Sequence, residues 1–204
     1  MKFSLTVLIT FLTFLSFSQS KTDAKAAKEY FINKYPNGKK EAEGNYINGK
    51  EQGKWQYWHP NGQIKQESQY RAGRLHGITT YYYPNGEKKD QGIFVAGKRN
   101  GKYTSWYSNK NVKIQGEYSK DQKIGKWISY YENGNKEWEG FFKNDKRDSS
   151  FHFWFRTGDK FKESYYTMGY DSVIAGWDKK GNQTIINGDG NLMEFYQDGA
   201  PKGK

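Results

Sequence analysis

The stretch that decides the fold is Gly125-Lys-Trp-Ile-Ser-Tyr-Tyr-Glu-Asn-Gly134, an alternating aromatic run that ends in Asn-Gly. Related stretches begin at Gly53, Gly77, Gly101 and Ser149, and successive starts lie 24 residues apart. A fixed period of this length indicates a repeat protein in which each unit stacks on its neighbours.

Two kinds of turn signal punctuate each repeat. Asn-Gly between aromatic, alternating runs favours a β-hairpin, because a type I′ turn needs positive φ at both central residues. This signal or a variant of it occurs at Asn37-Gly38, Asn61-Gly62, Asn85-Gly86, Asn109-Lys110, Asn133-Gly134 and Thr157-Gly158. The second signal, between hairpins, occurs at Asn48-Gly49, Ala72-Gly73, Ala96-Gly97 and Asn144-Asp145. We predict an all-β fold of tandem β-hairpin repeats forming an elongated, curved antiparallel meander sheet.

The turn position also predicts the strand register. A two-residue turn at Asn133-Gly134 pairs Trp127 with Gly140, so a large ring lies across a bare backbone. The same rule predicts the pairs Trp55/Ser68, Tyr103/Gly116 and Phe151/Ser164. In the remaining pair, Thr79/Gly92, the ring is missing, and we expect the weakest hairpin there.

Strand alternation assigns the side chains to two faces. One face, here called the ring face, carries most of the aromatic residues, including Trp127 and Trp138, and is predicted to be buried. The other, the row face, is rich in Lys, Glu, Gln and Asn. It also carries one aromatic residue per repeat, and these residues form the aromatic row: Trp58, Tyr82, Trp106, Tyr130 and Trp154.

Composition narrows the class of protein. The 204 residues include 13 Phe, 7 Trp and 17 Tyr but no cysteine, and the formal net charge is +11. The absence of cysteine excludes disulfide scaffolds, thiolate metal sites and cysteine nucleophiles. Lys and Arg are interleaved with Glu rather than clustered, and this pattern argues against a nucleic-acid partner.

The two ends of the chain depart from the repeat. Residues 1–18 combine a basic start, an apolar run and small residues before Gln19, and we expect a cleaved signal peptide, with an uncleaved anchor as the alternative. The protein would then be periplasmic, envelope-associated or secreted. Residues 19–34 are predicted to be a linker or a short helix and residues 35–169 the repeat array. Residues 170–204 are predicted to be a divergent β-hairpin and partial repeat, ending at a blunt edge or in a fragment.

No residue pattern indicates catalysis. His59, His76 and His152 lack metal-ligand spacing, and the turns around Asp178 and Asp189 lack the closing Glu of a calcium loop. Acidic residues recur with the repeat, as structural positions do. We expect no enzyme activity, no metal and no cofactor.

The repeat resembles a known family. Gly-Lys-Trp-x-x-Tyr-Tyr-x-Asn-Gly, as at 125–134, resembles the variant form of the MORN (membrane occupation and recognition nexus) repeat. The second halves of the units, such as Gly116-Glu-Tyr118 and Gly140-Phe-Phe142, fit it too. The resemblance covers six units over 29–169 and implies stacked hairpins without catalytic residues. The chain is also similar to bacterial proteins labelled YwqK-type antitoxins of toxin–antitoxin systems.

Three functions follow from this sequence. The first is a scaffold that binds a protein partner or a second copy of itself, because a single-layer sheet must cover its aromatic face. The second is a cell-wall or surface glycan-binding module that stacks sugars on the aromatic row. The third is an antitoxin-like neutraliser of a toxin. Attachment to a membrane surface stays open as well, given the basic charge.

Overall fold

A computed structural model describes residues 27–167 and 170–190, and within them sixteen β-strands form one antiparallel sheet. The strands are β1 (Lys28–Lys34), β2 (Lys40–Ile47), β3 (Lys50–Trp58), β4 (Ile64–Arg71), β5 (Arg74–Leu75), β6 (Gly77–Tyr82), β7 (Lys88–Val95), β8 (Lys98–Trp106), β9 (Val112–Ser119), β10 (Gln122–Tyr130), β11 (Lys136–Lys143), β12 (Lys146–Trp154), β13 (Lys160–Thr167), β14 (Tyr170–Trp177), β15 (Gln183–Ile186) and β16 (Asp189–Gly190).

The strands follow one another across the sheet in chain order, except that the short β5 pairs only with β4. Seven hairpins result: β1–β2, β3–β4, β6–β7, β8–β9, β10–β11, β12–β13 and β14–β15, numbered one to seven. The all-β meander is thereby confirmed. The predicted signal peptide and the end of the predicted partial repeat lie outside the described residues.

The expected linker or short helix over 19–34 is wrong for its last seven residues. Lys28–Lys34 forms β1, which pairs with β2 and places Phe31 opposite Gly44. The reason is that the 24-residue period extends backwards from β3: Phe31 holds the position of Trp55, and Asn37-Gly38 supplies the hairpin turn.

The Asn-Gly turns are of a different type from the one predicted. In the fifth hairpin, the Gly134 amide donates to the Tyr131 carbonyl at 2.9 Å, and the Tyr131 amide donates to the Asn135 carbonyl at 2.8 Å. Only Gly134 has a positive φ in this loop, at 90°. The loop is therefore a type I turn followed by a glycine in a G1 bulge, with three loop residues instead of two.

Type I′ geometry occurs at the connections between hairpins. Ala72 and Gly73 have φ values of 51° and 78°, and Asn144 and Asp145 have φ values of 51° and 65°. Positive φ at both central residues defines this turn, whose twist matches that of the flanking strands. The prediction thus placed the type I′ turn at the wrong one of the two turn signals.

The predicted register is nevertheless confirmed away from the turns. The observed pairs are Trp127/Gly140, Trp55/Ser68, Tyr103/Gly116, Phe151/Ser164 and Thr79/Gly92. The longer loop shifts the pairing by one residue, and a bulge then shifts it back, because Ser129 pairs with Trp138 whereas Tyr130 pairs with Lys136. The two departures cancel.

Each large ring leans over the strand that precedes it. A Cβ atom at Gly116 would fall inside the indole of Trp127, and one at Gly140 would fall inside the Phe151 ring. The Trp127 indole N–H also donates to the carbonyl of Glu117, on that same preceding strand, at 3.2 Å. Trp127 therefore covers Gly116 and not its hairpin partner Gly140, so the ring–glycine contact joins neighbouring hairpins instead of closing one.

Serine replaces glycine where the following strand offers no ring. The register that pairs Glu67 with Thr80 places Ser68 of β4 opposite Thr79 of β6, and Ser164 of β13 pairs with Val173 of β14. Ser68 is 2% exposed and the other two hydroxyl-bearing residues, Thr79 and Ser164, are fully buried. Gly44, Gly92, Gly116 and Gly140 are instead each followed by a strand that supplies a ring. Where the ring is missing at Thr79, the Ser68 side chain thus occupies part of the space that a ring would fill.

The ring face is covered by side chains of the same chain. Trp127 is fully buried between rings of adjacent strands, and its centroid lies 4.9 Å from that of Tyr118 and 6.2 Å from that of Phe142. Lys123 places its ammonium 4.7 Å from the Trp127 ring centroid, and burial lowers the pKa of this lysine. The core of this single-layer sheet therefore consists of rings from successive repeats, capped by cations.

Candidate functional site

The aromatic row lies on the face opposite the buried rings, as predicted. Each member is the last residue of the first strand in its hairpin and is half-buried, and it stands three positions after the core-facing ring, or after Thr79 in the case of Tyr82. Trp177 holds the same place at the end of β14 and extends the row by one member. Because successive members lie two strands apart, the rings are about 9–10 Å from one another.

Lysine ammonium groups lie over the tryptophans of the row. The Nζ atom is 5.2 Å from the ring centroid in Lys40/Trp58 and Lys136/Trp154, 5.1 Å in Lys160/Trp177 and 5.8 Å in Lys88/Trp106. These cation–π contacts occupy much of the surface that a sugar would stack on. Sequence reasoning missed them as specific pairs, although a lysine stands 18 residues before Trp58, Trp106 and Trp154 alike.

The tyrosines of the row are held differently. Ile64 and Val112 stand 18 residues before Tyr82 and Tyr130, where the tryptophans have lysine. The Tyr82 hydroxyl donates to Glu67 at 2.9 Å. Burial, together with this hydrogen bond, raises the pKa of Tyr82 to about 12. Gln115 donates to the Tyr130 hydroxyl at 3.4 Å. From Trp58 to Trp154 the row thus alternates between lysine-capped indoles and hydrogen-bonded phenols.

Glutamates of the row face are paired with lysines. Glu43 accepts from Lys40 at 2.7 Å, and this hydrogen bond lowers the pKa of the carboxyl. Glu139 accepts from Lys136 at 2.8 Å and lies 3.4 Å from Lys126. Burial acts to raise the pKa of Glu139, but the two lysines outweigh it and hold that pKa below its ordinary value. These carboxylates are engaged as ion-pair partners and are not poised as general acids.

A ladder of phenol hydroxyls links the hairpins at the Asn-Gly edge. Tyr83 donates to the Trp106 carbonyl at 2.9 Å, Tyr107 to the Tyr130 carbonyl at 2.8 Å and Tyr131 to the Trp154 carbonyl at 2.9 Å. His59 holds the same repeat position, with its Nε2 3.0 Å from the Tyr82 carbonyl. His59 therefore links its loop to the next hairpin, as the phenols do in later repeats.

The turn asparagines form a second ladder beside the first. The Asn133 side chain accepts from the Asn135 amide at 3.1 Å and donates to the Arg156 carbonyl of the next hairpin at 2.8 Å. Asn61 and Asn37 make the same link, to Pro84 at 2.7 Å and Pro60 at 3.0 Å. Asparagine is thus needed at this position for its side-chain hydrogen bonds and not for a positive φ.

One rung of the row has a cavity. A space of about 250 Å³ lies between Trp106, Lys88, Glu87 and Lys110. Lys110 pairs with Glu87 at 3.1 Å and stands where the other five Asn-Gly loops have glycine. A second, more open depression on the row face, near Gln115, lies between Lys102 and Lys126.

The remaining histidines and the Asp178 turn make the following contacts in the part of the chain that the structure covers. The His152 Nδ1 lies 3.5 Å from Glu163, and the His76 amide is used in the strand pairing with Gln69. Asp178 accepts the amides of Lys180 and Asn182, as a capped turn does. Among the described residues, no cluster of His, Cys, Asp and Glu has metal-site geometry, and no helix reaches the length and hydropathy of a bilayer span.

The model of the MORN repeat variant family matches five successive segments: 30–48, 51–72, 75–96, 99–120 and 123–144. Together these make up more than half of the sequence. The chain belongs to the MORN repeat variant family. The matched segments coincide with the first five hairpins, so the resemblance in sequence and the geometry of the sheet identify the same units.

The sixth hairpin continues the family geometry beyond the matched segments. Phe151 is fully buried over Gly140 and pairs with Ser164, as the rings of earlier units do. The loop after it also closes in the same way, with the Gly158 amide donating to Phe155 at 2.9 Å. No curated protein matches the chain significantly. Assignment to the antitoxin group therefore stays a prediction.

Proposed function

We propose that this MORN repeat variant protein is a non-enzymatic scaffold, exported from the cell interior, that binds a protein partner through its row face. Family membership supports a role in protein or membrane interactions in general terms. The identity of the partner, the face that binds it and the export of the chain are the parts that we propose beyond family membership.

The observation that carries the proposal is the contrast between the two faces. The ring face is filled by its own rings and cations, so little of it is left for a partner. The row face keeps Ile78, Phe141 and Tyr165 exposed at 57%, 45% and 49% among charged side chains. Exposed apolar residues rimmed by charges are typical of protein-binding surfaces.

A pair of neighbouring residues tests the assignment of the face. Phe141 points to the row face. Phe142 points to the ring face, where its ring centroid lies 6.2 Å from that of Trp127. A photo-crosslinking phenylalanine analogue at Phe141 is expected to trap a partner in intact cells, and the same analogue at Phe142 is not. Equal crosslinking from both positions, or none from either with a strictly monomeric mass in solution, would contradict the proposal.

Export is tested independently of binding. If residues 1–18 are a signal peptide, the mature protein from a cell-envelope or medium fraction begins at Gln19. Replacing Leu8→Asp in the apolar run should then leave the full-length precursor inside the cell. An unprocessed N-terminus on protein recovered from the envelope would favour the anchor alternative.

The antitoxin-like function is a narrower form of the same proposal. It requires that the partner trapped at Phe141 be a protein whose expression alone arrests growth. Co-expression of the scaffold would then restore growth, and a Phe141→Asp variant would not. The glycan alternative for the row as a whole gains less support, since lysines cover most of its tryptophans.

A further inference from the structure

We infer that the cavity beside Trp106 is a binding site for a sugar residue that carries a carboxylate, such as a hexuronate in an acidic polysaccharide. This goes beyond the proposed protein-binding function and concerns a single rung of the aromatic row. Three departures from the repeat meet at this rung, and the other rungs serve as internal comparisons.

The first departure concerns the lysine over the indole. Lys40, Lys136 and Lys160 each have a glutamate three residues later and pair with it, at 2.7, 2.8 and 3.3 Å. Lys88 has Gln91 in that position, and Gln91 donates to Thr80 at 3.0 Å. Among the described residues Lys88 makes no ion pair. Its ammonium group is also the farthest from its ring among the four row pairs, at 5.8 Å. Because no carboxylate holds it, Lys88 can move off the indole without breaking an ion pair, which makes its charge and that ring face available to a ligand.

The second departure concerns the loop above the ring. Lys110 has a φ of 74°, in the left-handed region where the corresponding loops have glycine. A side chain in that region is strained, and such strain recurs at binding sites because it persists only where something else favours it. The Lys110 side chain adds a second ammonium group to the cavity, and this group lies 3.1 Å from the Glu87 carboxylate.

The third departure is a loosening of the asparagine ladder at this rung. The Asn85 amide reaches the Ser108 carbonyl at 3.5 Å, whereas the equivalent bonds from Asn37, Asn61, Asn109 and Asn133 measure between 2.7 and 3.0 Å. The direct asparagine bond between these two loops is therefore weaker than its counterparts. Lys110, in the loop that contains Ser108, lines the cavity of about 250 Å³.

The chemistry of the lining defines the ligand. The indole face of Trp106 offers a negative π surface to the polarised C–H groups of a pyranose ring. Lys88, Lys110 and Glu87 together carry one net positive charge, which matches a single carboxylate better than a dianion. Glu87 remains available to accept from a sugar hydroxyl, and Lys110 and Lys88 to donate to the acid.

The experiment uses the full-length protein and isothermal titration with two acidic probes, a galacturonate tetrasaccharide and a hyaluronan tetrasaccharide. The methyl ester of the first probe is the neutral control. Three variants alter the site: Trp106→Ala, Lys110→Gly, which restores the loop residue of the other repeats, and Gln91→Glu, which gives Lys88 an intramolecular partner. Trp58→Ala is the matched control at a lysine-capped rung, and thermal melting checks the folding of every variant.

The expected result is saturable binding of at least one acidic probe, weakened about tenfold or more by each of the three site variants and by esterification, and less than about twofold by Trp58→Ala. Lys110→Gly should lose affinity while melting no lower than the native chain, since it removes strain. The inference is overturned if neither acidic probe binds, if the ester binds equally well, or if Trp58→Ala weakens binding as much as Trp106→Ala. A failure here leaves the crosslinking result at Phe141 unaffected, so the two proposals are separable.

Discussion

The junction between the second and third hairpins and the junction between the fourth and fifth share a register but differ in what fills it. In the later junction Trp127 lies over Gly116 and donates its indole N–H to Glu117. In the earlier one, Thr79 stands in the place of the ring, and both Thr79 and Ser68 are buried. Adjacent hairpins are therefore joined by a ring over a glycine, and a repeat that lacks the ring fills the same place with two small buried side chains.

Removing the ring from the later junction should have the largest effect. Trp127→Ala deletes a fully buried indole and is expected to lower the free energy of unfolding by about 3–5 kcal/mol. Thr79→Ala, the same position two repeats earlier, should cost about 1 kcal/mol or less. Urea denaturation of both variants measures the difference, and equal losses would refute the distinction between the two junctions.

Filling the glycine beneath the ring should have the next largest effect. Gly116→Ser copies Ser68 into the later junction, where its Cβ atom would overlap the Trp127 ring, and should cost about 1–3 kcal/mol. Combining it with Trp127→Thr recreates the earlier junction, so the two losses should add up to more than the loss in the double variant. Strict additivity in this double-mutant cycle would show that ring and glycine act independently.

Alkaline pH should destabilise the junction that is closed by a tyrosine ring more than the junction that is closed by a tryptophan ring. Burial, then a hydrogen bond to Asp90, raises the pKa of Tyr103, the ring over Gly92, above its ordinary value, whereas Trp127 does not titrate. Tyr103 therefore deprotonates at a lower pH in the unfolded chain than in the folded one. The stability that protonated Tyr103 contributes is complete below about pH 10 and is lost as the pH rises further. The melting temperature should fall above that pH, and Tyr103→Phe should reduce the fall. An unchanged pH profile in Tyr103→Phe would contradict the assignment.

Replacing the hydroxyl in the ringless junction should bring a small gain. The Thr79 hydroxyl is buried and lacks a hydrogen-bond partner within the described structure. Thr79→Val keeps the shape, removes the unpaired oxygen and is expected to raise the free energy of unfolding by about 1 kcal/mol. Thr80→Val is the control, because the Thr80 hydroxyl accepts from Gln91 at 3.0 Å and its loss should destabilise the sheet.

The smallest effect is expected at the type I′ turns that enter the repeats. Ala96 has a φ of 51°, as Asn144 does at the equivalent turn, and alanine tolerates this region less well than asparagine. Ala96→Asn should stabilise the protein and Asn144→Ala destabilise it, each by roughly 1 kcal/mol or less. Thermal melting of the pair measures both signs, and the same sign in both would contradict the role of φ.

Much of the architecture was predictable from residue patterns. Alternation of large and small residues, repeated every 24 positions, is enough to assign the strands, the two faces and the pairing of Trp127 with Gly140. The turn type at Asn133-Gly134 was not, because a type I turn with a G1 bulge and a type I′ turn both accept this dipeptide. The predicted Trp127/Gly140 pairing is correct only because the bulge next to Tyr130 compensates for the longer loop.

The candidate site was predictable in outline alone. Position within the repeat identified Trp58, Tyr82, Trp106, Tyr130 and Trp154 as one row. The lysine over each indole was missed, because Lys40 and Trp58 belong to different hairpins and their proximity depends on how far a flexible side chain reaches across strands. Aligning the repeats would have revealed these pairs. The residue 18 positions before each row member is lysine when the member is Trp58, Trp106 or Trp154, and aliphatic when it is tyrosine.

The sequence by itself determined that this chain is a series of hairpins in one sheet, since side-chain alternation and turn residues act within each strand and each loop. Only the tertiary structure decided which neighbour each ring covers, which cation lies over which ring, and that Lys88 and Lys110 meet at Trp106. The physical reason is that these contacts depend on side-chain rotamers and on the approach of separate hairpins, which no local pattern encodes.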